Sequence, residues 1–131
     1  MTFLVAPGDT KILEKFITND LPDTFRYFRT HDVEYCIKNN KIFLAIDESG
    51  EPVGYVHIDK DNDTNWLGLC ILPRAQNKNL GTRLIEEILK DSPRPIHLTV
   101  DRDNLIAYNL YLKYGFSVCR ETPQVLTMRL V

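Results

Sequence analysis

"LCILPRAQNKNLGTRLIEEIL", residues 69–89, decides how this chain folds. A short apolar run ends at Pro73, and the rhythm then changes. Leu80, Leu84, Ile85, Ile88 and Leu89 fall on one stripe, with Arg83, Glu86, Glu87 and Lys90 off it. That spacing predicts an amphipathic helix. A strand therefore runs into a helix through a loop of small polar residues that holds one glycine, Gly81. Free N–H groups and the positive end of a helix dipole meet at such a junction, and both favour an anion. The GxxxxGK[ST] pattern of a Walker loop is absent. Read by itself, the stretch is equally a plain turn and a phosphate cradle.

Working outward, "IHLTVD" (residues 96–101) reads as the next strand and "NLIAYNLYLKYG" (104–115) as a helix closed by Gly115. "FSVCRE" and "VLTMRL" end the chain as two further strands. Upstream, "KIFLAIDESGEPVGYVHIDKDNDTNWLGLCILP" holds three β-like runs separated by "DESGEP" and "DKDNDT", both dense in turn residues. In the middle run Val56 and Ile58 alternate with Tyr55, His57 and Asp59, which predicts one apolar face and one polar face open for function. "TFLVAP" reads as a first strand, and "DTKILEKFITN" as a helix capped by Asp9 or Thr10. "DTFRYFRTHDVEYCIKNN" reads as further helix broken near Thr30 and His31.

The order β, α, α, β, β, β, α, β, α, β, β implies an α+β, three-layer protein. Its sheet is mixed but mostly antiparallel, of about six to seven strands flanked by about four helices. The central strand–helix–strand unit forces one parallel crossover into that sheet. Ligands tend to sit where a sheet changes its pattern, which marks "ILPRAQNKNLG" as a candidate site.

At 131 residues, with 44% hydrophobic and 26% charged residues, the chain reads as one globular domain over residues 1–131. A formal charge of −2 argues against binding nucleic acid through bulk charge. There is no apolar run long enough to span a bilayer and no secretory pattern at the N-terminus, so no membrane partner and a cytoplasmic location are expected. Cys36, Cys70 and Cys119 are widely spaced and form no CxxC pair, which fits reduced, mostly buried thiols and no metal site.

The opening stretch resembles the acetyl-CoA-binding motif of the GCN5-related N-acetyltransferase (GNAT) superfamily. There a strand ends in a Gln/Arg-x-x-Gly-x-Gly/Ala loop, and Gln76, Asn79 and Gly81 take its three positions. A second motif of that family is matched by Asn104, Ala107, Tyr111, Gly115 and Phe116 in "NLIAYNLYLKYGF". Asn79 departs from the pattern by replacing the first glycine. Asparagine tolerates the left-handed backbone that such a loop needs, at a cost of roughly 1 kcal/mol.

The resemblance implies acetyl transfer from acetyl-CoA to a primary amine, without a covalent intermediate and without a metal. It places the pyrophosphate on residues 76–82, that is Gln76, Asn77, Lys78, Asn79, Leu80, Gly81 and Thr82. Pantetheine and the acetyl oxygen would meet the main chain of Leu69, Cys70 and Ile71, with Asn104 and Tyr111 beyond. Tyr111 stands where the family keeps its general acid; the bland alternative is an aromatic packed with Tyr108 and Tyr114. Where some relatives carry a strand glutamate, this chain has Asn65, which accepts no proton. His57, Asp59 and Asp61 are the nearby candidates for a base, and His57 has a suitable unperturbed pKa; a water chain is the other route. The acceptor would lie against the first two helices and the connection between the last two strands, with Asp59 and Asn65 also expected beside it. Phe25 and Phe28 with Arg26 and Arg29 form either an aromatic pocket reading an anionic group or core aromatics beside solvated arginines. Trp66 is either packing or a platform for a sugar.

Three functions follow: an acetyltransferase for a small-molecule amine (amino sugar, amino acid or polyamine-like), one for protein N-termini or lysines, or a silent acyl-CoA-binding module. The family is often dimeric, so a homodimer is an expected form.

Overall fold

The computed structural model describes residues 3–131, so Thr2 of the expected first strand lies outside the described residues. Seven strands form one sheet in the order β1-β2-β3-β4-β5-β7-β6. The strands are β1 (Leu4–Pro7), β2 (Asn40–Ile46), β3 (Pro52–Asp61), β4 (Thr64–Ile71), β5 (Ile96–Asp101), β6 (Ser117–Glu121) and β7 (Val125–Leu130). The helices are α1 (Thr10–Ile17), α2 (Val33–Asn39), α3 (Leu80–Leu89) and α4 (Leu105–Lys113). Every strand pairing is antiparallel except β4 with β5. The expected α+β architecture and its single parallel crossover are both present. Among the described residues no helix is long and apolar enough to cross a membrane.

Strand β3 sits under both layers. Successive side chains of a strand point to opposite faces. At Gly54 an added Cβ would lie 3.1 Å from Leu84 of α3, whereas the ring of the next residue, Tyr55, stacks on Phe16 of α1 at 5.7 Å. Helix α3 thus covers one face and α1 the other. The helix stripe read from sequence is the one buried: Leu80, Leu84, Ile85 and Ile88 are inaccessible, and Leu89 is half-buried.

Three expectations need correction. First, the polar face of β3 is not open. Tyr55, His57 and Asp59 are all buried, because α1 and the chain between α1 and α2 close over them. Second, the stretch from Asp23 to Asn39 is not one broken helix. It holds a single 3₁₀ turn at Tyr27–Arg29, then a new α-helix capped by Asp32, whose carboxylate accepts from the Tyr35 N–H at 2.8 Å. The β3–β4 turn is also shorter than expected. Only Asn62 and Asp63 make it, both with positive φ (49° and 65°), as a two-residue hairpin requires.

Helix α3 ends without a glycine. Its last carbonyls are closed from β2 instead: the Lys41 ammonium donates to the Lys90 carbonyl at 2.6 Å and to Ser92 Oγ at 3.2 Å. A cation at a helix C-terminus also complements the dipole. Lys41→Met is therefore expected to lower stability by about 1 kcal/mol, or roughly 3–5 °C in a thermal melt, with no change in fold. An unchanged melting temperature would show that solvent caps this end equally well.

Candidate functional site

The parallel pair β4–β5 is short. Only Asn65 with Ile96 and Trp66 with His97 are in register, after which β4 continues to Ile71 and β5 to Asp101 without further pairing. The strands part, and the gap opens into a cleft of about 1000 Å³. Leu69, Cys70 and Ile71 line one wall, and Asn104, Ala107 and Tyr111 of the α4 region another.

The loop into α3 is built to expose its backbone. The Gln76 amide donates to the Ile71 carbonyl at 3.1 Å and so ties the loop to the end of β4. Asn77 (φ 63°) and Asn79 (φ 60°, ψ 19°) are both left-handed. Asn79 thus takes the left-handed backbone expected of it from the sequence. It is the first residue flanking α3, yet its side chain makes no capping bond. The first bond of the helix runs from Arg83 N–H to the Asn79 carbonyl at 3.1 Å. Among the described residues the N–H groups of Leu80, Gly81 and Thr82 therefore meet no acceptor, and they point out at the dipole's positive end. Gly81 allows the close approach of α4: an added Cβ would lie 3.1 Å from Leu110 Cδ2. Asn77, Asn79, Gly81 and Thr82 line the cleft; Leu80 is buried and offers only its main chain, and Lys78 is exposed outside the lining.

The second motif has a local structural reason. Asn104 caps α4, its Oδ1 accepting from the Ala107 N–H at 3.4 Å. At the other end Gly115 (φ 94°) is left-handed. Its N–H reaches the Leu112 carbonyl at 3.0 Å, and the Phe116 N–H reaches the Tyr111 carbonyl at 3.1 Å. That is a Schellman closure, with the Tyr111 and Phe116 rings in contact at 5.9 Å. The closure fixes the Tyr111 ring and leaves its hydroxyl facing the cleft without a protein partner among the described residues. Burial, then the nearby Cys70, pushes the phenol above its usual range. Burial alone pushes the Cys70 thiol up to about 12.

The other half of the cleft lies between β3–β4 and the segment after α1. Tyr27 stacks on His31 at 4.0 Å and tilts over His57 at 4.2 Å. The Tyr27 and Tyr35 hydroxyls donate to the two oxygens of Asp59 at 2.7 and 3.0 Å, and Asn40 donates to Tyr27 at 2.8 Å. His57 Nδ1 lies 2.7 Å from the Tyr55 hydroxyl. Its ring rests on Gly68, where an added Cβ would come within 2.5 Å of Cε1. Burial lowers the His57 pKa to about 3, against a smaller upward pull from Asp59. An imidazole that resists protonation to that degree is a poor base for an ammonium group.

The same burial makes stability pH-dependent. With the folded pKa near 3 and the unfolded value at 6.5, only the unfolded chain binds this proton between them. Stability from the neutral imidazole is complete above pH 6.5 and lost as pH falls toward 3. The expected slope in urea titrations is roughly 1 kcal/mol per pH unit from this residue, and His57→Asn should remove it. An equal slope in the variant would assign the acid sensitivity to other groups.

The residues expected at the acceptor divide. Phe25, Arg26 and Asp59 line the cleft. Phe28 packs on Phe16 and Tyr55, and Arg29 reaches outward to Asp23 at 3.8 Å. Phe25 and Arg26 precede the 3₁₀ turn, so the four side chains share no helix face. Arg26 is bound in a two-bond pairing to Asp101, at 3.1 and 3.3 Å. Asn65 donates to the Pro93 carbonyl at 3.1 Å and is outside the lining. Tyr27, Tyr35, Gly68 and Asp101 were not singled out from sequence. Asp101 carried a usable signal, as the last residue of the strand after the crossover; the tyrosines carried none.

Residues 11–116 match the sequence profile described as the acetyltransferase (GNAT) family. An N-alpha-acetyltransferase 20 from Dictyostelium discoideum is 28% identical over 109 residues, which cover 74% of this chain. The match spans 62% of that protein's length. Among solved structures, a GNAT-family acetyltransferase from Streptococcus pneumoniae aligns with a TM-score of 0.77 at 21% identity, over 98% of this chain and 99% of that one. A PaiA N-acetyltransferase from Thermoplasma acidophilum, in complex with coenzyme A, aligns with a TM-score of 0.78 at 16% identity, over 98% of each.

Proposed function

The chain belongs to the acetyltransferase (GNAT) family, and on that footing we propose that it transfers acetyl from acetyl-CoA to a primary amine of a small molecule, by direct attack. The observation that carries this reading is the start of α3, where the N–H groups of Leu80, Gly81 and Thr82 meet no acceptor among the described residues and Gly81 and Thr82 line the cleft formed where β4 leaves β5. A pyrophosphate fits there, held by main-chain donors of residues 76–82 and the helix dipole. The gap exposes main-chain groups of Leu69, Cys70 and Ile71, on which a pantetheine arm can pair as an added strand does. Bound acetyl-CoA supplies the activated acetyl group.

Tyr111 is the proton donor in this reading. A phenol raised above its usual range stays protonated at neutral pH, but it yields its proton only to a strong base. In this reading the base that takes it is the thiolate leaving coenzyme A, set against the Tyr111 hydroxyl in the cleft. On the amine side, His57 near pKa 3 leaves a water chain as the better route for the proton.

The likeness to an N-alpha-acetyltransferase favours one second reading, a protein N-terminus as acceptor. A thiol-release assay with acetyl-CoA, run against small amines and against peptides, separates the two. Turnover on peptides alone would replace the small-molecule reading. Tight acetyl-CoA binding with turnover on neither would make this chain an acyl-CoA-binding module.

A further inference from the structure

A buried carboxylate ordinarily has a cationic partner. Asp59 is 4% exposed, and among the described residues no lysine or arginine forms an ion pair with it. What it has are the hydroxyls of Tyr27 and Tyr35. Burial raises the Tyr27 phenol, and the bond to Asp59 raises that of Tyr35, so both remain neutral donors. Two phenols stabilise a negative charge without cancelling it.

The surrounding chamber does not cancel it either. Asp61 lines the same cleft at its exposed rim and makes no ion pair among the described residues. Two cations line the cleft: Arg26 is bound to Asp101, and Lys113 sits on α4 with its ammonium 5.8 Å from the Tyr114 ring centroid. His57, 3% exposed, lines the chamber and stays neutral; among the described residues its one hydrogen bond is the Nδ1 contact with the Tyr55 hydroxyl. The rings of Tyr27 and Trp66 also line it, and aromatic faces attract cations.

We infer that the acceptor is an amine carrying a second positive charge, whose cationic end sits at Asp59 and Asp61 against the rings of Tyr27 and Trp66. The inference rests on the acetyl-transfer reading above and narrows its acceptor. It also runs against one of the two readings open from sequence, an anionic group read by arginines. An anionic acceptor would have to take Arg26 from Asp101 while lying against two further carboxylates. A diamine or a longer polyamine meets no such opposition and supplies the missing counter-charge.

Three acceptors of one chain length test this: hexamethylenediamine, hexylamine and aminocaproic acid. Each is titrated by calorimetry into the protein saturated with coenzyme A, and each is assayed for acetyl transfer. The diamine is expected to bind about 10-fold tighter than hexylamine and about 100-fold tighter than aminocaproic acid. Asp59→Asn and, on the exposed hairpin where folding is not at stake, Asp61→Asn should each cut the preference for the diamine by several-fold. Equal binding of diamine and monoamine, tighter binding of aminocaproic acid, or a preference untouched by both substitutions overturns the inference. Transfer to hexylamine without preference for the diamine would overturn it and leave the acetyl-transfer reading standing. A diamine preference in binding with transfer to no amine would support the charge reading and overturn the acetyl-transfer one.

Discussion

Tyr111→Phe is expected to slow acetyl transfer about 100- to 1000-fold while acetyl-CoA affinity changes by less than about 3-fold. The split follows from where the ring is held. The Schellman closure at Gly115 and the contact with Phe116 depend on the ring and the backbone, and phenylalanine keeps both. The hydroxyl has no protein partner among the described residues, so removing it leaves no buried group unpaired. Stability should therefore move by less than about 0.5 kcal/mol. On the acetyl-transfer reading proposed above, what disappears is the proton for the departing thiolate. The raised phenol also predicts that the alkaline side of the rate profile stays flat through the range where an unperturbed tyrosine would ionise. Equal losses in affinity and turnover would demote Tyr111 to packing.

Features that depend on local pattern were legible before the structure. The α3 stripe and the Gly115 closure each need a few residues of sequence, and each formed as read. The parallel crossover followed from element order alone. What could not be read was which face of β3 is dry. Alternation shows that two faces differ, not that one is wet, and Tyr55, His57 and Asp59 were hidden by partners far along the chain. Tyr27 lies 32 residues from Asp59 and Tyr35 lies 24, while Arg26 is 75 from Asp101. Nothing local says which carboxylate an arginine will find. The alternative in which arginines read an anionic group needs Arg26 free, and its long-range pair with Asp101 weighs against that alternative.

Asn79 is where local pattern and function meet, and two substitutions there separate backbone from side chain. At φ 60° and ψ 19° its conformation costs asparagine little, costs glycine nothing, and is a true outlier for a β-branched residue. Asn79→Val is expected to cost about 1–3 kcal/mol, read as a melting temperature lower by roughly 5–10 °C. The loop can relieve that strain only by rotating the residue that sets the direction of the N–H groups at Leu80, Gly81 and Thr82. Acetyl-CoA affinity should then fall about 10- to 100-fold, since those donors act together with the helix dipole. Asn79→Gly removes the strain but loosens the unfolded chain, and the two effects nearly offset, leaving stability within about 0.5 kcal/mol. Because the Asn79 side chain caps nothing, its loss should leave acetyl-CoA affinity within about 3-fold. A 10-fold loss in the glycine variant at unchanged stability would mean that the amide itself holds phosphate. Wild-type affinity in the valine variant would mean that the N–H row is not the cradle, and the reading built on it would fail with it.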